Sequence, residues 1–229
     1  MYILKHPKLG SVLPCAYIFL VAAPFAPAQE HLAAPPVVTR YCSSCHGMDG
    51  KSQLPYIPRL AGLSAKYTAA KLASFRAVAP APVDETFSRV AHLGSAVKDP
   101  HITSLAAVHM VGIARTISPE AVKAASAWYA AQTPANPRGT RGRLIDEGKD
   151  LFINGLESQN LPACQTCHGS EAEGTDKAPR LAGQNAAYIV NQLALFRSGE
   201  RHNAPEMSGV ARYVESAQAR ALAAYLQSR

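Results

Sequence analysis

Apolar side chains recur at helical spacing along most of the chain, and no long stretch alternates between apolar and polar residues as a half-buried strand does. Ser64 and Ser118 can each cap a helix, and proline follows the second serine at the first helical position. The apolar positions that define the predicted helices are Tyr67, Leu72 and Phe75, then Val122, Ala125, Trp128 and Tyr129, then the amphipathic stretch from Leu144 to Phe152, and finally Ala219, Leu222, Tyr225 and Leu226. The pattern predicts an all-α fold with much loop.

The chain repeats itself, which says more about its organisation than any single motif does. The segment PRLAG at 58–62 recurs 121 residues later at 179–183, and the helical pattern that follows it recurs as well. A later pair of similar segments, 110–115 and 207–212, is offset by only 97 residues. The first half therefore carries the difference, about 24 extra residues, as an insertion at about 77–100.

A short extended linker separates the two halves. Two prolines and a glycine lie within residues 134–140, a composition typical of linkers. We therefore expect a first domain at 29–133, which contains the insertion, and a second domain at 141–229. Each half is long enough for a small domain with a modest core.

The N-terminal residues have the features of an export signal. Two lysines precede an apolar stretch at 12–25, and an Ala-Pro-Ala cleavage pattern ends at Ala28. We expect residues 1–28 to be a signal peptide and the mature protein to be periplasmic. A membrane anchor is the main alternative, but the apolar run is shorter than the ~20 residues of a spanning helix, and two prolines interrupt it. Lipid attachment at Cys15 is a weaker alternative because proline precedes that cysteine.

Composition and charge argue against two classes of protein. The chain is 48% hydrophobic and 17% charged, which is too apolar for a disordered chain. Its formal net charge is +7, yet it has no run of five or more lysines and arginines, so no nucleic-acid footprint is evident. We therefore expect no nucleic-acid partner.

Two Cys-x-x-Cys-His units fit covalent attachment of c-type haem. Cysteines three apart in a helical turn lie on one side, where they can form thioethers to the two haem vinyl groups, and the adjacent histidine then faces the iron. The candidate residues are the thioether cysteines Cys42, Cys45, Cys164 and Cys167 and the proximal iron ligands His46 and His168. We expect two haems, one in each repeat.

A zinc site, a thiol redox pair and two short disulfides are the alternatives to haem. The cysteine pairs lie in separate repeats, so each pair would need two further zinc ligands. No βαβ pattern surrounds them, as a thioredoxin-like redox pair would require. An oxidising compartment would permit disulfides, and that alternative stays open.

The sixth iron ligand decides whether such a haem passes electrons or binds small molecules. Of the four methionines, Met1 lies in the leader and Met48 is too close to His46 to reach the opposite haem face easily. Met110 and Met207 remain, one per repeat, at matching positions before the last predicted helix of each. The alternative is that both are core methionines, but their matching places in the duplication lead us to expect that they are axial ligands. A thioether favours Fe(II) and raises the potential of a histidine-ligated haem.

Four histidines near these methionines could compete as ligands. His92, His101 and His109 lie in or after the insertion, and His202 precedes the second methionine by five residues. We interpret all four as surface or loop residues. An enzyme would need a vacant or displaceable axial site with an acid–base group beside it, and no such arrangement is evident from the spacing. Glutamate and histidine residues of the insertion keep that alternative open.

With these motifs the chain resembles the class I cytochromes c, and most closely the di-haem cytochrome c4 family, over nearly all of its predicted mature length. The resemblance implies two tandem class I cytochrome c domains, each wrapped around one covalently bound haem. It also implies a role for Pro58 and Pro179, whose carbonyl groups would accept a hydrogen bond from the ring N–H of His46 and His168. Such a bond fixes the orientation and basicity of a ligating imidazole.

The resemblance further implies a one-electron carrier, and not an enzyme, between a respiratory donor and a terminal oxidase or other acceptor. The expected donors are a quinol–cytochrome c oxidoreductase or a blue-copper protein, and the expected acceptor is a haem–copper oxidase. Peripheral association with a membrane is compatible with this role. The alternatives are a di-haem peroxidase-like enzyme and the cytochrome subunit of a larger dehydrogenase.

Overall fold

A computed structural model describes the chain in five stretches, 33–78, 102–139, 142–176, 178–201 and 203–229. The predicted signal peptide, residues 79–100 of the predicted insertion, and His92, His101 and His202 lie outside the described residues. Residues 34–229 belong to one compact unit. No helix among the described residues combines the length and the apolar character that a membrane crossing needs.

The described residues are helical, with a single isolated β-bridge between Leu156 and Leu161 and no strand. A π-helix at Val38–Cys42 leads directly into α1, and a short 3₁₀-helix spans Glu157–Gln159. The α-helices are α1 (Ser43–His46), α2 (Ala65–Arg76), α3 (Ile102–Thr116), α4 (Pro119–Ala130), α5 (Arg143–Asn154), α6 (Gln165–His168), α7 (Ala186–Ser198), α8 (Pro205–Ala211) and α9 (Ser216–Gln227). The predicted all-α fold is confirmed.

The two predicted serine caps are present. The Ser64 hydroxyl accepts a hydrogen bond from the Tyr67 N–H at 3.1 Å, and α2 begins directly after this serine, at Ala65. The Ser118 hydroxyl accepts from the Ala121 N–H at 3.2 Å, with Pro119 at the first position of α4. Local sequence therefore fixes where both helices start.

The second repeat is built on the crossing of α5 and α9. Gly148 makes this close approach possible, since a Cβ at that position would lie 2.9 Å from Tyr225 Cβ and closer still to the Ala221 carbonyl. The Phe152 and Tyr225 rings pack with centroids 5.5 Å apart, and both side chains are buried. This apolar crossing closes the core of the second repeat.

The first repeat packs α2 against α3 and α4. Its buried apolar cluster includes Val38, Leu72, Ala114 and Tyr129. Over the described part of this repeat no helix corresponds to α5. The π-helix occupies the place before the first Cys-x-x-Cys-His unit instead, and the Val38 N–H bonds to the Pro35 carbonyl at 2.8 Å where that segment begins.

Two side chains of the second repeat fasten it to the first. Gln184 accepts from the Arg59 N–H at 2.8 Å and donates to the Arg59 carbonyl at 3.0 Å. Asn185 donates to the carbonyls of Leu54 and Ile57 at 3.0 and 2.9 Å. Both side chains are buried. We call Gln184 and Asn185 the clasp.

Candidate functional site

The first Cys-x-x-Cys-His unit is a single helical turn with a buried histidine. Cys42 ends the π-helix, Cys45 and His46 lie in α1, and Gly47 ends the helix with φ 81°. His46 is 7% exposed, and its Nδ1–H donates to the Pro58 carbonyl at 2.9 Å. This bond leaves the Nε2 lone pair free to bind a metal.

The second unit has the same geometry. Cys164 and Cys167 flank the first residues of α6, and Gly169 ends that helix with φ 84°. His168 is 6% exposed, and its Nδ1–H donates to the Pro179 carbonyl at 2.8 Å. The two repeats thus present two equivalent imidazoles, each with one nitrogen occupied by a proline carbonyl.

Backbone bonds hold each proline segment beside its histidine. In the first repeat the Leu60 N–H donates to the Gly50 carbonyl at 2.8 Å, and in the second the Leu181 N–H donates to the Ala172 carbonyl at 2.8 Å. The Gly62 N–H bonds to the Tyr129 carbonyl at 3.0 Å at the end of α4, as the equivalent glycine of the second repeat does at the end of α9. The PRLAG segment therefore joins the histidine turn to the last helix of its repeat.

Two hydroxyl groups that no sequence motif singled out also support the histidine turns. The Ser52 hydroxyl donates to the Cys45 carbonyl at 2.8 Å, and the Thr175 hydroxyl donates to the Cys167 carbonyl at 2.7 Å. The two positions are 123 residues apart, whereas the cysteines are offset by 122 and the PRLAG segments by 121. An alignment of the two repeats at one fixed offset therefore does not pair Ser52 with Thr175.

The electrostatics of the site favour neutral histidines and protonated thiols. Burial lowers the pKa of His46 and of His168, although the hydrogen bond to each proline carbonyl opposes this shift. A neutral imidazole is the form that binds a metal. Burial raises the pKa of Cys42 and of Cys164 to about 11. These two thiols lack the thiolate character of a redox-active pair, which needs a depressed pKa.

Neither a disulfide nor a zinc site finds support in this geometry. Cys42, Cys45, Cys164 and Cys167 are all free thiols, so neither pair forms a disulfide. The described residues contain no group of three or more histidine, cysteine or acidic side chains that could hold a metal ion by themselves. A zinc site at either pair would therefore lack its remaining ligands.

The residues present do fit a haem. Each unit offers two cysteine thiols that are not in a disulfide, a buried histidine with a free Nε2, and apolar surroundings. In addition, the Nε of Arg180, directly after Pro179, is buried and has no hydrogen-bond partner. A haem carries two propionate carboxylates, which are suitable acceptors for an otherwise unpaired guanidinium nitrogen.

Both candidate axial methionines lie on helices and are half-buried. Met110 lies on α3 and packs against the same apolar cluster as Cys42. Met207 lies on α8, which packs against α7 and begins at Pro205. His109, the neighbour of Met110, is exposed.

Two arginines that the sequence marks only as part of the repeat attach these methionine helices to the rest of each domain. Arg76 on α2 donates to the Ala114 carbonyl at 2.8 Å and also to the Ile117 carbonyl, while Arg197 on α7 donates to the Val214 carbonyl at 3.1 Å. Ile117 and Val214 are separated by the same 97 residues as the two methionines. The two repeats thus anchor the methionine side in one manner.

Comparison with known sequences gives a consistent set of relatives. The sequence model of the Cytochrome c family matches residues 145–229. Cytochrome c-552 of Acidithiobacillus ferridurans is 33% identical over 197 residues, which is 85% of this chain and 76% of that protein. Cytochrome c4 of Stutzerimonas stutzeri is 31% identical over 195 residues, covering 81% of this chain and 83% of that protein. The thiosulfate dehydrogenase electron acceptor of Thiomonas intermedia is 31% identical over 227 residues, covering 95% and 93%.

Solved structures agree with these relatives. The structure of Acidithiobacillus ferrooxidans cytochrome c4 superposes with a TM-score of 0.65 at 32% identity, over 82% of this chain and 98% of that one. The crystal structure of reduced cytochrome c4 from Pseudomonas stutzeri superposes with a TM-score of 0.67 at 29% identity, over 83% and 94%. Both similarities extend over the two repeats, as the predicted pair of tandem class I cytochrome c domains requires.

Proposed function

Because the chain belongs to the cytochrome c4 family and carries two covalently bound c-type haems, we propose that it is a periplasmic one-electron carrier with two six-coordinate irons. Electron transfer as such follows from the family. Each haem supplies the one-electron Fe(III)/Fe(II) couple, and the protein sets its potential and its access to partners. The observation that carries the proposal is the matched pair of buried histidines, each bonded through Nδ1–H to a proline carbonyl.

We assign the ligands residue by residue. Thioether bonds are formed by Cys42, Cys45, Cys164 and Cys167, the proximal ligands are His46 and His168, and the distal ligands are Met110 and Met207. The Pro58 and Pro179 carbonyls keep each imidazole in the tautomer that presents Nε2 to the iron. Arg76 and Arg197 hold the methionine helices in place. With both axial positions filled, neither iron has an open site for peroxide or oxygen.

We also propose the processing and domain limits expected from the sequence: cleavage after Ala28, a first domain at 29–133 with the insertion at about 77–100, a linker at 134–140 and a second domain at 141–229. Covalent attachment suits an exported protein, since a haem lost outside the cell membrane could not easily be replaced. Mass spectrometry of the purified holoprotein tests the cleavage, and an N-terminus other than Gln29 contradicts it.

For partners we propose redox proteins, with a quinol–cytochrome c oxidoreductase or a blue-copper protein as donor and a haem–copper oxidase as acceptor. Contacts between electron carriers are small and transient. A haem edge that is exposed at the surface, beside its thioether cysteine, suits such a contact. Cys45 and Cys167, one in each repeat, are both exposed. Each haem is therefore expected to have an accessible edge.

Carbon monoxide binding to the reduced holoprotein tests the ligand assignment. The unmodified protein should bind none, and its oxidised spectrum should contain two low-spin haems with thioether-to-iron charge-transfer bands. Met207→Ala and Met110→Ala should each open one haem to carbon monoxide and lower the potential of that haem. Rapid binding to the unmodified protein would instead favour a peroxidase-like enzyme.

The exposed neighbour of Met110 provides a matched control. His109→Ala should leave carbon monoxide binding and both potentials unchanged, because the wild-type ligand is Met110. If His109→Ala opens the first haem while Met110→Ala leaves its spectrum intact, the assignment of Met110 is wrong.

A second candidate function is electron acceptance from one particular dehydrogenase. The thiosulfate dehydrogenase electron acceptor of Thiomonas intermedia matches over nearly the whole of both chains, which favours this role. Stopped-flow mixing of the oxidised holoprotein with a thiosulfate dehydrogenase and thiosulfate tests it. Reduction within the enzyme's turnover time supports the specific role, and reduction only by quinol or blue-copper donors supports the general carrier.

A further inference from the structure

The guanidinium group of Arg201 lies on the seam between the two repeats. It donates to the Tyr67 hydroxyl of α2 at 3.3 Å and to the side-chain oxygen of Gln192 on α7. It also stacks over the buried Phe196 ring, with 4.3 Å between its central carbon and the ring centroid. One side chain of the second repeat therefore contacts both repeats.

These contacts fall on equivalent positions of the duplication. Tyr67 and Tyr188 are 121 residues apart, as are Lys71 and Gln192. Burial raises the pKa of the Tyr188 hydroxyl to about 12, and a hydrogen bond from Arg201 opposes that rise. Arg201 itself has no equivalent in the first repeat, because the insertion replaces the short stretch that carries it. The Arg201 guanidinium thus contacts the equivalent faces of α2 and α7.

Arg201 forms no ion pair with any described acidic side chain. Its Nε is buried and has no hydrogen-bond partner. Lys71 lies one helical turn after Tyr67 on α2, on the same face, with its ammonium group 5.4 Å from the Phe75 ring centroid. Burial, together with the positive charge of Arg201, lowers the pKa of Lys71 to about 8. No described ion pair involves either residue.

Two half-buried cations that repel each other are costly unless an anion lies between them. We propose that Arg201 and Lys71 form an oxyanion site on the seam that binds a carboxylate or phosphate group. The two sources of that chemistry are a haem propionate and a free anion from solution. The inference rests on the proposed function, since a propionate requires the bound haem. Filled by a propionate, the site makes Arg201 a positioning residue that sets the haem potentials.

Redox titration of the holoprotein tests this site. Arg201→Gln removes one positive charge, which favours the oxidised haem. We expect the equilibrium constant for reduction to fall about tenfold at one or both haems, which is about 59 mV for a one-electron couple. Arg220→Gln, an equal charge change at an exposed position of α9, is the matched control and should shift neither potential appreciably. Arg201→Lys should restore much of the loss.

Buffer composition separates the two sources. If a propionate fills the site, wild-type potentials are the same in phosphate and in a zwitterionic buffer, and Arg201→Gln lowers them in both. If a free anion fills it, phosphate lowers the wild-type potentials and Arg201→Gln abolishes that response. The proposal is overturned if wild-type potentials ignore phosphate and Arg201→Gln behaves like Arg220→Gln in both buffers.

A second variant tests the site independently, in case Arg201→Gln does not fold. Lys71→Gln installs the residue that the second repeat has at the equivalent position, and it should lower the potentials in the same direction with the visible spectrum unchanged. A wild-type spectrum with potentials equal to the Arg220→Gln values would also contradict the site. Carbon monoxide binding to the unmodified protein, by contrast, would contradict the ligand assignment and leave this comparison of potentials unaffected.

Discussion

The two repeats hold their histidines alike and differ in the helices that surround them. His46 and His168 are equally buried, and their bonds to proline carbonyls differ by only 0.1 Å, at 2.9 and 2.8 Å. The second repeat is closed by the crossing of α5 and α9, whereas the described part of the first has a π-helix in place of α5. The methionine helices also differ, since α3 has 15 residues and α8 has 7.

This difference shows that the haem-binding segments and the helices around them have varied independently of each other. The histidine turn and the PRLAG segment are joined by short-range bonds, so each copy keeps its geometry although the surrounding helices have diverged. The scaffolds differ in buried apolar side chains, with seven in the described cluster of the first repeat and eleven in that of the second. The first repeat should depend more on its haem for stability.

The largest expected effect comes from removing one haem at a time. Replacing Cys42 and Cys45 by serine should abolish nearly all amide protection in α2 and α4, because the small core there cannot close without the macrocycle. Replacing Cys164 and Cys167 by serine should leave part of the protection in α5 and α9. Hydrogen exchange resolved by peptide, on protein whose haem content is known from its mass, measures both. Equal loss in the two variants would contradict the comparison.

A smaller effect is expected from adding a methyl group to the close contact between α5 and α9. Gly148→Ala places a methyl group against the Ala221 carbonyl, and we expect a loss of about 2–3 kcal/mol in the free energy of unfolding. Lys149→Ala, on the exposed face of the same helix, should change it by less than about 0.5 kcal/mol. Denaturant titration of both holoproteins provides the measurement. A neutral Gly148→Ala would mean that this crossing does not hold the second repeat together.

The smallest effect is expected when the two clasp residues are replaced by the residues at the equivalent positions of the first repeat. Gln184→Leu with Asn185→Ser installs the residues that the first repeat has at 63 and 64. The buried Arg59 backbone N–H and carbonyl then lose their partners, which should cost about 1–3 kcal/mol. The matched control is Ser64→Asn, which keeps a good N-cap and should be nearly neutral.

Differential scanning calorimetry of these variants reports whether the repeats unfold together. Loss of the clasp should broaden a single transition or split it into two, since the coupling between repeats is weakened. A double variant as stable and as cooperative as the wild type would show that the clasp does not join the repeats.

Much of the fold follows from the sequence because its signals are local. The serine caps at Ser64 and Ser118 lie within three residues of the groups they bind, so helix starts are predictable. Ser52 and Thr175 escaped prediction because loops of unequal length shift their spacing between the repeats. The π-helix at Val38–Cys42 likewise has no simple sequence pattern that would predict it.

The sequence by itself determined the family, the number of haems and the residues that could bind them, because a Cys-x-x-Cys-His unit places its thiols and imidazole within five consecutive residues. Only the tertiary structure decided how the repeats meet. The clasp spans 125 residues between Gln184 and Arg59, and the contact of Arg201 with Tyr67 spans 134. No local pattern encodes such pairs, since they depend on how two finished helical units pack against each other.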